Sequence, residues 1–225
     1  MDTEVTVLIP AFNEEKYIAG TVYGIKACGG IIRVIVMDDG STDGTARAAS
    51  GSGAEVIKLK KNMGKGCALN YGLKSVNSGI IAFIDADIGT GSKELEKLLE
   101  PIIKDKADMT IGVLQPVSGK GGFGLVKKLS RLLLFVSTGR TLTAGLSGQR
   151  VFKREVLDEI APISDGFAAE IGMNIKAMKK GYRVLEVPVN MTHRETKRDL
   201  KGFLHRGRQF YDILKYYFME MRGSK

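Results

Sequence analysis

"GIIAFIDADIGTGS", residues 79–92, decides how the rest of the chain is read. Ile80 to Asp85 has the continuous apolar character of a strand buried on both faces. The strand then runs straight into two carboxylates, Asp85 and Asp87, with only Ala86 between them. Neighbouring carboxylates repel one another, and a purely structural turn would avoid that cost. A buried strand that ends in paired negative charge is therefore a candidate functional strand end.

The same pattern recurs on either side. "VTVLIP" (5–10), "IIRVIVMDD" (31–39), "AEVIKLK" (54–60), "DMTIGV" (108–113) and "YRVLEVPV" (182–189) also read as strands. Between them lie helical segments: 13–27 with apolar Ile18, Val22 and Ile25, a short one after "STDGT", 64–76 behind a glycine turn, and 92–105 behind a serine cap. The alternation predicts an α/β fold, a mostly parallel sheet flanked by helices. At 225 residues it fits a single domain. Ligands of such sheets bind outside the carboxyl ends of the strands. The chemistry is therefore expected in "PAFNEE" (10–15), "DDGSTDGT" (38–45), "NMGKG" (62–66) and "DADIG" (85–89). Asp38, Asp39, Asp85 and Asp87 would then converge on one edge.

Composition narrows the partners. With 34 Lys and Arg against 25 Asp and Glu, the formal charge is +9, which favours anionic partners. The alternative of a non-enzymatic basic module for membrane or nucleic acid does not need acids and a lysine at four strand ends, and no nucleic acid is expected. Cys28 and Cys67 have no metal-type spacing and read as reduced thiols. The N-terminus shows no basic region before an apolar run, so no targeting signal is expected. "LLLFV" (132–136), the longest apolar run outside the strands, is far short of the about 20 residues that span a bilayer. The chain reads as cytoplasmic, with contact at the inner membrane face left open.

A strand-end D-x-D suits a hard divalent ion, Mg²⁺ or Mn²⁺, which prefers carboxylate oxygens and keeps positions for phosphates. Lys65, between Gly64 and Gly66 at a helix start, is placed to meet an anion. "GKGGFG" (119–124) lacks the full phosphate-loop pattern, and no G-x-G-x-x-G follows the first strand.

With those motifs in place, the chain resembles a family 2 glycosyltransferase with the GT-A fold. "VLIPAFNEE", "VIVMDDGSTDGT", "NMGKGCALNYGL" and "FIDAD" carry the resemblance from about Val5 to Val113. It implies a nucleotide-sugar donor, UDP-glucose first and GDP-mannose next. Pro10, Ala11, Asn13 and Glu14 would border the nucleoside. Asp39 would contact base or ribose, and Lys65 base or diphosphate. Asp85 and Asp87 would hold the donor and its metal, with Asp87 also catalytic. In many GT-A enzymes a histidine past the last strand completes the metal site, and His193 follows "VPVNMT" here.

The resemblance divides the single domain into a donor-binding half, 1–113, and an acceptor-binding half, 114–225, with the second half expected to choose the acceptor. From Met109 to Arg154 there is no Asp or Glu, while Lys120, Lys127, Lys128, Arg131, Arg140, Arg150, Lys153 and Arg154 are present. "FGLVKKLSRLLLFVS" (123–137) reads as an amphipathic helix with Leu125, Leu129, Leu132 and Val136 on one face. It either packs on the sheet or meets an anionic acceptor or membrane. The following segments resemble those of polyprenyl-phosphate hexose synthases and glucosyl-3-phosphoglycerate synthases. The likeness implies that Ser130 and Arg131 serve an acceptor phosphate, that Gln149 lies on the acceptor side, and that Glu170 is a catalytic group near sugar or acceptor. "IGVLQP" (111–116) departs from the lipid-phosphate synthases by lacking their usual arginine. The chain has no tryptophan, so the Q-x-x-R-W motif of polymer-forming members is absent. A phosphate or carboxylate acceptor is already anionic and needs little general base. The stretch 192–199 is expected to form a lid over the donor diphosphate carrying His193, Arg194, Lys197 and Arg198, with Arg194 and Arg198 also toward the acceptor. A last helix (201–221) with Phe203, Phe210, Leu214, Tyr217 and Met221 would pack on the domain, form a homodimer, or touch a membrane.

Overall fold

The computed structural model describes residues 4–30, 32–114, 124–164, 166 and 168–192. Seven strands form one mixed sheet: β1 (Val5–Ala11), β2 (Ile32–Asp38), β3 (Glu55–Lys58), β4 (Ile80–Phe83), β5 (Met109–Leu114), β6 (Arg150–Lys153) and β7 (Val184–Val189). Their order is β3-β2-β1-β4-β6-β5-β7. All run one way except β6, which is antiparallel to both β4 and β5. The helices are α1 (Ile18–Lys26), α2 (Thr45–Gly51), α3 (Lys65–Leu73), α4 (Leu95–Ile103), α5 (Gly124–Thr138), α6 (Arg154–Ile160) and α7 (Ala168–Lys179).

Side-chain alternation along the strands makes two cores. Leu8, Ile35, Met37, Ile81 and Phe83 point to one face, where they pack with α3, α5, α6 and α7. Val7, Ile9, Val34, Val36, Ile80 and Ala82 point to the other, against α1, α2 and α4. Phe83 and Phe152 meet across β4 and β6 with ring centroids 5.0 Å apart. Strands buried on both faces are what continuous apolar runs require.

Three expectations are corrected. β6 was not anticipated, because a four-residue strand opening on an arginine carries almost no periodic signal. Ser92 does not cap α4. A 3-10 turn (Gly89–Glu94) precedes that helix, and the Ser92 hydroxyl donates instead to the Thr21 carbonyl at 2.7 Å. On α5 the packed face carries Ser130, Leu133 and Leu134, while Leu132 and Val136 are each 58% exposed.

At the edge opposite the strands' carboxyl ends, one carboxylate ties three strands together. Asp108, before β5, accepts from the Arg183 backbone N–H at 2.9 Å, from Arg183 Nη2 at 2.7 Å and from Lys153 Nζ at 2.8 Å. Hydrogen bonds from Arg183 outweigh the opposing effect of burial and hold its carboxyl well below the usual carboxylate range. A depressed carboxyl contributes stability that is complete above the unfolded value near about 4 and is lost as pH falls below it. Asp108→Asn should therefore cost about 1–3 kcal/mol at neutral pH. In thermal melts the gap to the parent chain should narrow steadily below about pH 4. A gap that stays constant into strong acid would show that Asp108 does not stabilise through its charge.

Candidate active site

The loops at the carboxyl edge are latched to one another before any ligand is considered. Pro10 and Ala11 end β1. Asn13 follows in the left-handed region at φ 57°, its N–H donating to Ser41 Oγ at 2.9 Å and its Oδ1 accepting from the Thr42 N–H at 2.9 Å. The Glu14 N–H donates to Thr45 Oγ1 at 2.8 Å. "PAFNEE" and "DDGSTDGT" thus form one rigid rim. Asp38 is fully buried beneath that rim. Its Oδ1 accepts from the Ser41 N–H at 2.8 Å, so it shapes its own loop rather than joining the other acids. Asp39 reaches the next loop, where its two oxygens accept from the Met63 and Gly64 N–H groups, each at 2.8 Å. That pair of bonds fixes the turn that launches α3 with Lys65 at its first position.

Lys65 is the centre of the edge. Its Nζ donates to Asp85 Oδ1 at 2.7 Å and to Glu170 Oε1 at 3.1 Å. Burial works against its charge, but the Asp85 and Glu170 carboxylates overcome that and raise its pKa above the ordinary lysine value. Asp85 follows β4 and Glu170 opens α7, so one ammonium joins elements from both halves of the chain. Asp85 is further clamped by Gln149. The Asp85 N–H donates to Gln149 Oε1 at 3.0 Å, and Gln149 Nε2 donates to Asp85 Oδ2 at 2.6 Å. Gln149 is completely buried. It was expected on the acceptor side; the structure places both ends of its amide on Asp85 instead.

Gly148 forms the floor beneath this contact. A Cβ there would lie 2.4 Å from Asp85 Oδ2 and 2.7 Å from Lys65 Nζ, so only glycine fits without displacing the pair. Arg150 holds the floor from behind and is itself fully buried. It donates to the Ser147 and Gly145 carbonyls at 2.8 and 3.0 Å and to Asn174 Oδ1 at 2.6 Å. Desolvation pushes its guanidinium down to about 10, and the nearby Glu170 and Asp85 charges partly offset this.

Asp87 lies half-buried at the mouth. Its turn is held by Thr21 of α1, whose hydroxyl donates to the Ala86 carbonyl at 2.8 Å and accepts from the Gly89 N–H at 2.8 Å. Among the described residues no three His, Cys, Asp or Glu side chains gather into a metal cage. His193, Arg194 and Arg198 lie outside the described residues, as do the rest of the expected lid beyond Thr192 and the last helix.

Arg131 lines a narrow cleft, with room for about one water, between α5 and α7, together with Ser130, Leu134, Leu142, Gly145, Ile171 and Asn174. Asn174 links this cleft to the buried Arg150. The eight cations of the acid-free stretch are not all unopposed. Lys153 pairs with Asp105 and Asp108, Arg154 pairs with Asp158, and Arg150 is buried. Their acids come from outside the stretch, which a count along the chain could not see. Thr21, Gly148 and Asn174 carry no signal in the sequence, and Arg150 shows there only as one of the eight cations.

The comparisons with known proteins fit this geometry. Residues 6–161 match the family model described as Glycosyl transferase family 2. The chain is 32% identical over 202 residues to an uncharacterized protein of Methanocaldococcus jannaschii, covering 85% of this chain and 83% of that one. It is 29% identical over 212 residues to the polyprenol monophosphomannose synthase of Mycolicibacterium smegmatis, covering 84% of this chain and 77% of that protein. Among solved structures, glucosyl-3-phosphoglycerate synthase from Mycobacterium tuberculosis, in complex with Mn²⁺, uridine diphosphate and phosphoglyceric acid, aligns with a TM-score of 0.80 at 25% identity, covering 96% of this chain and 78% of that one. The family match takes in every loop of the carboxyl edge from β1 to β6, and with it the chain belongs to glycosyl transferase family 2.

Proposed function

We propose that this glycosyltransferase moves a hexose from a nucleoside-diphosphate sugar, UDP-glucose first, to an anionic acceptor, with Mg²⁺ or Mn²⁺ as its cofactor. The acceptor is a polyprenyl phosphate or a small phosphorylated metabolite. The observation that carries this reading is the Lys65 ammonium held against Asp85 and Glu170, with Asp87 two residues beyond. The nucleoside lies against Pro10, Ala11, Asn13 and Glu14, with Asp39 behind it. Each Asp39 oxygen accepts one backbone N–H and keeps a second lone pair for base or ribose.

The donor set suits a hard divalent ion. Asp87 is an oxygen ligand on a turn that Thr21 fixes, and Asp85 adds a second carboxylate held by Gln149. Too few protein acids gather for an all-protein cage among the described residues, which suits an ion that takes its remaining ligands from phosphates and water. When bound, the ion stabilises negative charge on the departing diphosphate.

The chain's own residues do the rest. In the transfer the bond from the anomeric carbon to the diphosphate oxygen breaks, and its electron pair leaves on the diphosphate. A new bond forms from an acceptor oxygen to that carbon. Lys65 supplies fixed positive charge beside the leaving group. Glu170 orients Lys65 and borders the sugar. Arg131, in the cleft between α5 and α7, attracts the acceptor's charge. The mycobacterial synthase, crystallised with UDP-glucose, Mn²⁺ and phosphoglyceric acid, names the first donor and acceptor to try.

With UDP-glucose, Mn²⁺ and a panel of phosphorylated acceptors, Asp87→Asn should cut turnover roughly 100-fold or more while thermal stability is kept. Near-normal turnover would remove Asp87 from the metal site. Gly148→Ala tests the floor. The added methyl must push Lys65 away from Asp85, so donor affinity should fall about 10-fold or more while the chain stays folded, since overpacking costs about 1–3 kcal/mol. Unchanged donor affinity in titration calorimetry would separate the Lys65–Asp85 contact from donor binding.

A further inference from the structure

We infer that α5 is a docking surface for an anionic lipid bilayer. The helix exposes a basic first half, Lys127, Lys128 and Arg131, and an apolar second half, Leu132, Phe135 and Val136. At 100° per residue all six fall on one half of the helix circumference. Leu132, Phe135 and Val136 are 58%, 54% and 58% exposed, while Ser130 on the opposite side is buried. A helix that buries a serine and presents a leucine, a phenylalanine and a valine to water leaves apolar area that an apolar partner would cover.

The charge pattern selects the partner. Lys127, Lys128, Arg131 and Arg140 are exposed, and none has an acidic partner among the described residues. The two protein occupants that the chain itself could provide are both basic. A second copy carries a net charge of +9, and residues 193–225 hold nine Lys and Arg against four Asp and Glu. Either would bring like charge onto the basic half of α5, whereas anionic headgroups complement it. Arg131 directly precedes Leu132, and Lys127 and Lys128 lie about one turn before it, so cations border the apolar residues along the helix.

Docking by this face would set the cleft lined by Ser130, Arg131 and Leu134 at the bilayer surface. The inference does not depend on the transfer reaction. A chain that transfers no sugar could still dock, and an active one could fail to dock, so the two failures are distinguishable.

The test is vesicle co-sedimentation of the full chain with phosphatidylcholine alone and with phosphatidylcholine plus phosphatidylglycerol. Binding should appear only with the anionic lipid and should weaken as salt is raised. The triple variant Leu132→Asn/Phe135→Ser/Val136→Asn should lose roughly 10-fold or more in vesicle affinity, with its melting temperature kept. Lys127→Glu/Lys128→Glu should do the same by charge reversal, and it keeps the test decisive if the triple variant folds poorly. Three results would overturn the inference. One is undiminished vesicle binding by the Lys127/Lys128 variant. Another is no binding of the parent chain to either vesicle. The third is a lipid-free dimer that the triple variant turns into a monomer, which would make α5 a contact between copies of this chain.

Discussion

One ammonium group organises the candidate site. Lys65 leaves the β3–α3 turn and meets Asp85 from β4 and Glu170 from α7 within hydrogen-bonding distance. Without it, two carboxylates from different halves of the chain would face one another across a partly desolvated gap, where repulsion is strong. With it, the first half of the sheet and the second half of the chain are joined at the point where a ligand would enter. The same positive charge is what a diphosphate leaving group needs, and the proposed function gives Lys65 that second task.

The support beneath that contact depends on β6 running backwards. In a sheet of otherwise parallel strands, residues before a strand lie at the far edge from the site. Reversal of β6 between β4 and β5 brings the residues just ahead of it, Ser147 to Gln149, to the carboxyl edge. Gln149 can then clamp Asp85 at both its N–H and its carboxylate, and Gly148 can pass beneath Lys65. Arg150, next in the chain, is turned into the protein and holds the loop by two carbonyls and Asn174. An antiparallel strand here is a positioning device for the acid that its parallel-running neighbour β4 delivers.

The sequence disclosed the parts of this arrangement that are local. Strand ends announce themselves through apolar runs that stop at Pro10, Asp38 and Asp85. The expected loops do lie at one edge, and Asp39, Lys65 and Asp85 stand where strand order puts them. Beyond the short strand β6 and the turn before α4, the misreadings are of side-chain direction or pairing. Gln149 looks like any polar loop residue until β6 is known to be antiparallel. Asp38 and Asp39 are adjacent in sequence, yet one is buried under its own turn and the other reaches the next loop. Leu132 and Val136 have core spacing, but the helix rotates them outward because the Leu133 and Leu134 ridge packs instead. The cations Lys153 and Arg154 find acids that are distant or downstream in the chain, Asp105, Asp108 and Asp158, so their charge is neutralised where the linear count left it open.

The most direct test is a diffraction experiment on crystals grown with uridine diphosphate and Mn²⁺, with data collected at the manganese absorption edge. The account predicts one anomalous peak within about 2.0–2.6 Å of an Asp87 carboxylate oxygen, with the diphosphate bridging the ion and lying within hydrogen-bonding reach of Lys65. A manganese peak away from Asp87, or a diphosphate out of reach of Lys65, would contradict it.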